Sequence, residues 1–182
     1  MIIGVTGTLG AGKGTIVKYL LEKHGFKHFS VRAFLNEEIA RRGLPSNRDT
    51  MTEVANDLRA RHGSGYITEQ LVLRALEDGG NAVIESIRSI GEARYLKSHG
   101  ARLWAVDADT TARYERIVSR ASETDAISFE KFVADERREF ANTDPAKQNI
   151  SGVMALADVV FRNDDAPEDL FAQIEKALSD MS

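Results

Sequence analysis

The sequence predicts an α/β fold in three layers, with a five-stranded parallel sheet between two layers of helices. Short apolar runs alternate with longer amphipathic segments along the 182 residues, which is the pattern of repeated strand–helix–strand units. An alternating order of this kind favours parallel strands that are covered by helices on both faces. No repeat, low-complexity tract or linker separates two parts of the chain, so we expect a single domain.

The first half of the chain contains two predicted strands and four predicted helices. An apolar run at residues 2–5 is the first strand, and the helix after it ends at Gly25. The second strand is predicted at 26–30. The region from there to residue 76 has helical periodicity only, in three helices, and Ser46 or Asn47 is placed to cap the middle one.

The second half continues the alternation of strands and helices. Trp104 lies within a predicted strand, and we interpret it as a core residue rather than a stacking platform. A polar linker at 121–126 joins two charged helices. Strands are predicted at 81–85, 103–106 and 159–161, and helices at 90–98, 110–120, 128–140, 150–157 and 170–181.

Composition narrows the classes of function. The chain has 24 Lys and Arg against 28 Asp and Glu, and a net charge of −4 disfavours general binding to nucleic acid or membranes. The absence of cysteine excludes disulfides and thiolate chemistry. No apolar run approaches the roughly 20 residues that span a bilayer, and a strand beginning at Ile2 leaves no room for a signal peptide. We therefore expect a cytoplasmic protein, monomeric or homodimeric.

A glycine-rich stretch follows the first strand and fits the spacing G-x-x-x-x-G-K. Glycines let successive backbone N–H groups point inward at an anion, and the following helix adds the positive end of its dipole. The lysine supplies a mobile charge for β- and γ-phosphates. The pattern has Ser or Thr directly after the lysine, whereas this chain has a glycine there and a threonine one position later. The predicted phosphate-binding residues are Gly7, Gly10, Ala11, Gly12, Lys13, Gly14 and Thr15.

Further polar residues stand where predicted strands end, which is where α/β folds bind ligands. Glu85 closes the third strand and could hold Mg²⁺ through water, together with the hydroxyl of Thr15. Arg88, three residues on, lies on the same rim and could bind an anionic acceptor. Asp107 and Asp109 follow the fourth strand, and we expect them to orient loops or cap the next helix.

A run of arginines follows the fourth strand. Arg113, Arg116 and Arg120 share one helical face, and Arg137 and Arg138 lie on the next helix. Transfer of a γ-phosphoryl group needs cations that neutralise the charge on its oxygens. The alternative is a solvated pair of helices, in which neighbouring glutamates are the partners of these arginines.

These motifs together resemble the adenylate kinases and related nucleoside monophosphate kinases. The resemblance rests on the sequence G-K-G-T in the loop, on the spacing of Glu85 and Arg88, and on Arg116 and Arg120. Fragments along nearly the whole chain are also similar to an uncharacterised archaeal group of adenylate-kinase-like proteins. The resemblance implies a P-loop kinase fold in one domain over 1–182. Its core would be 1–30, 79–109 and 143–182, with an acceptor-binding insertion at about 31–76 and a lid at about 110–142.

The resemblance also implies the reaction, which uses ATP and Mg²⁺ to phosphorylate a small-molecule nucleotide. Asn163 would lie near the adenine. Two features depart from the kinase pattern, because Glu85 replaces an aspartate and the first insertion helix lacks the usual arginine. The implied catalytic residues are Lys13, Arg88, Arg116, Arg120 and Arg138, and the implied acceptor-binding residues are Arg32, Arg48, Arg59 and Arg88.

Two other functions stay open. One is a kinase of another small metabolite such as dephospho-coenzyme A, although kinases of that type usually carry G-K-S-T and an aspartate soon after the second strand. The other is a nucleotide-binding regulatory module that hydrolyses ATP slowly or not at all.

Overall fold

The computed structural model describes residues 1–119, 128–140, 142 and 147–181, except for the side chains of Arg48, Arg138 and Glu139. The predicted polar linker at 121–126 lies outside these residues. Five strands and nine helices are described, in the order β1 Ile2–Gly7, α1 Lys13–His24, β2 Lys27–Ser30, α2 Val31–Arg41, α3 Arg48–His62, α4 Tyr66–Asp78, β3 Ala82–Glu85, α5 Ile90–Ser98, β4 Arg102–Asp107, α6 Thr110–Ser119, α7 Phe129–Phe140, α8 Ile150–Met154, β5 Val159–Arg162 and α9 Pro167–Ser179.

The five strands form one parallel sheet in the order β2-β3-β1-β4-β5, which confirms the predicted fold class. β1 lies at the centre, between β3 and β4. The register pairs Val5 with Glu85 and Gly7 with Val106, so the carboxyl ends of the central strands meet at one rim. Ser30 at the end of β2 pairs with Glu85 of β3, so β2 ends at the same rim.

Two apolar clusters cover the two faces of the sheet. One packs α1 and α9 against Val5, Trp104 and Phe161, and the Trp104 ring meets the Phe161 ring edge to face at 5.2 Å. Trp104 is therefore a core residue, as predicted. The other cluster packs α5 and all three helices of the predicted acceptor insertion against the opposite face, with Leu58 and Leu71 fully enclosed.

Side-chain caps fix the starts of two helices of the predicted acceptor insertion. Ser30 Oγ accepts a hydrogen bond from Ala33 N at 3.2 Å at the start of α2, and Asn47 Oδ1 accepts from Thr50 N at 2.9 Å at the start of α3. The choice left open between Ser46 and Asn47 is thereby decided for Asn47. Each such cap stabilises a helix by about 1 kcal/mol because it satisfies a donor that has no partner within the helix.

Candidate functional site

The glycine-rich loop joins β1 to α1 at the centre of the rim, in backbone conformations that only glycine adopts easily. Gly7, Gly10 and Gly12 have φ angles of 142°, 80° and 107°. A Cβ on Gly7 would stand 2.1 Å from Val106 O, and one on Gly12 would stand 2.3 Å from Asn163 Nδ2. The spacing of glycines that predicted an anion-binding loop is therefore required by this backbone.

Lys13 begins α1 and folds back over the loop. Its Nζ donates to Gly7 O at 2.9 Å and to Thr8 O at 2.8 Å, so the ammonium group lies at the loop itself. Gly14 is exposed, and a Cβ there would meet no atom within 4 Å. The Thr15 hydroxyl lies 3.8 Å from the position that a Cβ on Gly12 would take, so it faces the loop from the first turn of the helix.

The loop is braced from the ends of β4 and β5. Asn163 Nδ2 donates to Ala11 O at 2.8 Å, and Thr8 Oγ1 donates to Asp107 Oδ1 at 2.6 Å. Asn163 thus supports the loop directly, a contact that its sequence position did not indicate. Asp109 Oδ1 accepts from Thr111 N at 2.8 Å, which confirms the predicted cap of α6.

Glu85 closes β3 beside the loop, with its carboxylate close to two polar groups of β2. Its Oε1 lies 3.4 Å from His28 Nε2 and 3.5 Å from Ser30 Oγ. The hydrogen bond with His28 lowers the pKa of Glu85, burial opposes that shift, and the charge of Lys13 adds to the lowering. Glu85 is therefore ionised at neutral pH.

Arg88 completes the centre of the site. It lines a cleft together with Lys13 and the loop, and Asp135, Glu136 and Phe140 of α7 line the same cleft. Arg88 Nη1 donates to Gln148 Oε1 at 2.8 Å. The structure therefore brings Lys13, Glu85 and Arg88 together at one rim, as the sequence predicted.

The donor chemistry of this rim suits a hydrated Mg²⁺ ion. Mg²⁺ usually keeps several of its waters and takes one or two carboxylates together with substrate phosphates. Glu85 supplies one ionised carboxylate near the loop, and Thr15 supplies a hydroxyl. Across the residues described, no group of three or more His, Cys, Asp or Glu side chains is placed to hold a metal ion jointly.

The candidate acceptor arginines lie in different environments. Arg32 is exposed in the first turn of α2, directly after β2, and Arg48 begins α3 with a side chain outside the described residues. Arg59 is buried, and its Nε and Nη2 donate to Glu92 Oε1 at 3.0 and 2.9 Å. The structure therefore does not bring Arg59 to the cleft surface, where an acceptor would bind.

The arginines of the predicted lid also lie in different environments. Arg113, only 4% exposed, donates to Leu9 O of the loop at 3.2 Å and to both carboxylate oxygens of Glu136 on α7. It therefore ties α7 to the phosphate-binding loop. The alternative in which glutamates are the partners of these arginines therefore holds for Arg113, but the sequence predicted a solvated contact and the observed one is buried.

Arg116 of α6 is half-buried. Its Nη1 is buried and has no hydrogen-bond partner within the part of the chain that the structure describes. A hydrogen bond from the backbone N–H of Asp109 lowers the pKa of Asp164, and the charges of Arg162 and Arg116 add to the lowering. Arg120 and the side chain of Arg138 lie outside the described residues.

Comparisons with known proteins assign this chain to a family. An AAA domain family model matches residues 3–141. The UPF0200 protein of Methanococcus maripaludis strain C7 is 30% identical over 189 residues, covering 99% of this chain and 97% of the relative. The chain is an AAA domain protein of the UPF0200 family. The UPF0200 protein of Thermococcus kodakarensis is 29% identical over 188 residues, covering 100% of this chain and 98% of the relative.

Solved structures share the fold of this UPF0200 protein at low identity. TT1252 from Thermus thermophilus superposes with a TM-score of 0.61 at 22% identity, covering 100% of this chain and 98% of that one. The shikimate kinase from Acinetobacter baumannii, solved with shikimate, gives 0.60 at 13% identity, covering 98% and 93%. The P-loop kinase-like fold is thus confirmed, whereas the nucleoside monophosphate kinase subtype stays a prediction. Within the described residues, no helix of the UPF0200 protein has the length and apolar character that a membrane span needs.

Proposed function

We propose that this UPF0200 protein is an ATP-dependent phosphotransferase whose acceptor is a nucleoside or deoxynucleoside monophosphate. The observation that carries the proposal is the pair of cations in one cleft. Lys13 stands at the phosphate-binding loop, and Arg88 lines the same space from the end of β3. Two cations facing one cleft suit two anionic groups, a donor triphosphate and an acceptor phosphate.

The residues divide the work of an in-line transfer. Lys13 and the backbone N–H groups of the loop hold the β- and γ-phosphates, and Arg88 holds the acceptor phosphate. An acceptor oxygen bonds to the γ-phosphorus as the bond to the β–γ bridging oxygen breaks, and ADP leaves. Arg116, Arg120 and Arg138 close over the transferring group. Arg32 and Arg48 remain candidates for acceptor contacts.

Mg²⁺ would neutralise phosphate charge when it is bound with ATP. Glu85 would hold it through water, since this carboxylate is ionised beside Lys13. The hydroxyl of Thr15 faces the loop and would orient the same water shell. The Glu85 side chain, which is one methylene longer than aspartate, contacts His28 and Ser30. These contacts hold it on the side facing β2.

The end of β2 supports a phosphate acceptor over an alcohol. An alcohol must lose a proton during transfer and therefore needs a general base, whereas an acceptor phosphate is already ionised. β2 ends at Ser30 and is followed by the buried Val31, so it presents no carboxylate. Ser30 instead caps α2.

A kinase of a small hydroxyl-bearing metabolite is the second candidate. Asp135 on α7 lines the same cleft as Arg88, where a carboxylate could accept a hydroxyl proton. Structural neighbours described as a shikimate kinase and a gluconokinase, the latter from Sinorhizobium meliloti with a TM-score of 0.58, act on acceptors of that type. Their identity of 13% supports the fold only.

The first test is a screen for ADP release from ATP. The acceptors are all ribo- and deoxyribonucleoside monophosphates, with shikimate, gluconate and dephospho-coenzyme A as metabolite acceptors. Turnover with a monophosphate supports the proposal, and turnover with a metabolite alone overturns it in favour of the second candidate. Tight ATP binding without turnover in any mixture would favour the regulatory module.

Arg88 gives a second test, which separates donor from acceptor. We expect Arg88→Ala to weaken acceptor binding roughly ten- to a hundredfold, because a charged hydrogen bond in a desolvated site is worth about 1.5–3 kcal/mol. ATP binding should change little, and Arg88→Lys should rescue only in part, because lysine cannot form a bidentate contact. Calorimetric titration of each ligand measures both effects. A loss confined to ATP would move Arg88 to the donor side.

A further inference from the structure

A buried ion pair lies behind Arg88 and joins the acceptor insertion to the rim. Arg59 on α3 and Glu92 on α5 have side-chain exposures of 2% and 0%. Both donors of the Arg59 contact converge on one carboxylate oxygen, Glu92 Oε1. The other oxygen, Oε2, accepts hydrogen bonds from the backbone N of Arg88 at 2.9 Å and from that of Ser89 at 3.0 Å.

Glu92 therefore connects Arg59 of α3 to the backbone N–H of Arg88 through its two carboxylate oxygens. Its carboxylate is held on one side by a guanidinium of the insertion and holds the rim segment on the other. The carbonyl of Arg88 is fixed separately, because it accepts a hydrogen bond from Asn149 N at 2.8 Å. The contact between Ser89 Oγ and Ser64 O at 2.8 Å adds a second link between the insertion and α5.

Glu92 has hydrogen bonds at both carboxylate oxygens, and it also forms the capping box of α5 with Ser89. Removing two charges from water costs more than their attraction returns unless the remaining groups are well bonded, and apolar pairs of similar volume often serve as well. Nη1 of Arg59 is buried and has no hydrogen-bond partner among the described residues. The unbonded group of the pair is thus on Arg59, whereas Glu92 is held where its second oxygen bonds the backbone N–H groups of Arg88 and Ser89.

We propose that Arg59 and Glu92 form a positioning pair that holds Arg88 in the orientation required by the acceptor phosphate, an inference that rests on the proposed function. Arg59 itself does not contact the acceptor. It fixes Glu92, and Glu92 fixes the backbone from which the Arg88 guanidinium extends into the cleft. The inference gives Arg59 a place in the acceptor site that differs from the direct contact expected from the sequence.

The positioning claim has a test that needs no ligand. Hydrogen exchange of the Arg88 and Ser89 amides is measured in the wild type, in Arg59→Met and in Arg59→Lys. We expect about tenfold faster exchange of these two amides in Arg59→Met, which corresponds to about 1.4 kcal/mol of local protection, with amides of the central strands unchanged. Arg59→Lys should restore part of the protection. Unchanged exchange at both amides in Arg59→Met would overturn the inference.

A matched control and a second variant keep the result interpretable. Arg74→Met removes an arginine from the same insertion whose ion pair with Glu37 is exposed, at 46% and 60%, and it should leave the Arg88 and Ser89 amides unchanged. Arg59→Met leaves a buried carboxylate without its partner and can unfold the chain. Arg59→Gln combined with Glu92→Gln removes both charges and keeps an amide pair, so it should preserve the protection to within about threefold if geometry rather than charge matters.

A double-mutant cycle tests the link to the acceptor. Calorimetry with AMP, GMP, CMP and UMP as probes is carried out on the wild type, Arg59→Met, Arg88→Ala and the double variant. We expect Arg59→Met to weaken binding of the monophosphate about tenfold and to have no further effect once Arg88 is alanine, because the two residues act as a unit. ATP affinity should change less than about twofold.

The outcomes of the cycle separate the two proposals. Additive losses in the double variant would show that Arg59 acts independently of Arg88 and would overturn the inference. If the wild type binds none of the four monophosphates and releases no ADP with any ribo- or deoxyribonucleoside monophosphate in the screen, the proposed function fails. The amide exchange of Arg88 and Ser89 alone then decides whether the pair positions the rim.

Discussion

At the scale of single residues, the glycines of the phosphate-binding loop differ in what their positions demand. Gly12 has a left-handed φ of 107°, and a side chain there would collide with Asn163. Gly14 lies two residues on, in the first turn of α1, with open space around it. The sequence prediction placed both among the phosphate-binding residues, but of the two only Gly12 is required by its conformation and by close packing.

The two glycines therefore give a matched pair of variants. We expect Gly12→Ala to lose ATP binding by at least about tenfold, because the loop must move to admit the Cβ and its amides then no longer converge. Gly14→Ala should bind ATP normally and keep or slightly raise the melting temperature, since alanine favours a helix over glycine by up to about 1 kcal/mol. Calorimetry with ATP and thermal melting of both variants provide the comparison. Equal losses in both would show that Gly14 is also needed at the phosphates.

At the scale of helices, an arginine joins α2 to α3 at the far end of the acceptor insertion. Arg42 donates to Glu38 Oε1 at 2.6 Å and to Asp57 Oδ2 at 2.7 Å. Burial opposes ionisation of Glu38, but hydrogen bonds from Arg42 and Arg41 outweigh it and lower the pKa. The hydrogen bond from Arg42 likewise lowers the pKa of Asp57.

This network predicts a stability that depends on pH. Because both carboxyl groups have lowered pKa values in the folded state, their contribution is present above the ordinary pKa of about 4 and is lost as the pH falls below it. We expect Arg42→Met to lower the melting temperature at pH 7. Its difference from the wild type should shrink as the pH falls below the ordinary carboxyl range and Glu38 and Asp57 become protonated in the fold. Lys18→Met, which removes an exposed pair with Glu22, is the control and should behave like the wild type throughout. A deficit that persists unchanged at low pH would assign the effect of Arg42 to packing.

At the scale of the whole molecule, the predicted acceptor insertion and the predicted lid contact the rest of the chain in different ways. The acceptor insertion at 31–76 packs into the main apolar cluster and is linked to α5 by Arg59 and Ser64. α7 is held to the phosphate-binding loop through Arg113 and Glu136, and it borders the cleft. The division of the chain into a core, an acceptor insertion and a lid stays a prediction, and this difference sharpens it.

Hydrogen exchange with and without a bisubstrate analogue tests the predicted acceptor insertion and the predicted lid. We expect α6 and α7 to gain protection on binding, because a lid that borders the cleft must close to exclude water. In α2 a smaller gain is expected, while α3 and α4 should be protected already in the free protein, since their apolar faces are buried in the core. Changes confined to residues 7–15 would contradict the assignment of both segments.

Local signals in the sequence were sufficient to predict the parallel sheet and the loop at its central strand. The order of apolar runs fixed a parallel α/β sheet, and the spacing of glycines and Lys13 fixed the phosphate-binding loop, because both depend on residues that are neighbours in the chain. Glu85 and Arg88 followed from the rule that strand ends share a rim. The core position of Trp104 was likewise predicted from local pattern, whereas the cap of α3 was narrowed only to Ser46 or Asn47.

Only the tertiary structure decided what the individual arginines do. Arg59 and Arg113 look in the sequence like their solvent-facing neighbours, but each is buried against a glutamate on another helix, Glu92 and Glu136. Whether an arginine meets a ligand or an internal carboxylate depends on partners that lie 33 and 23 residues away. Helical periodicity gives the face of a helix but not what that face packs against, so these roles emerge only when the helices are assembled.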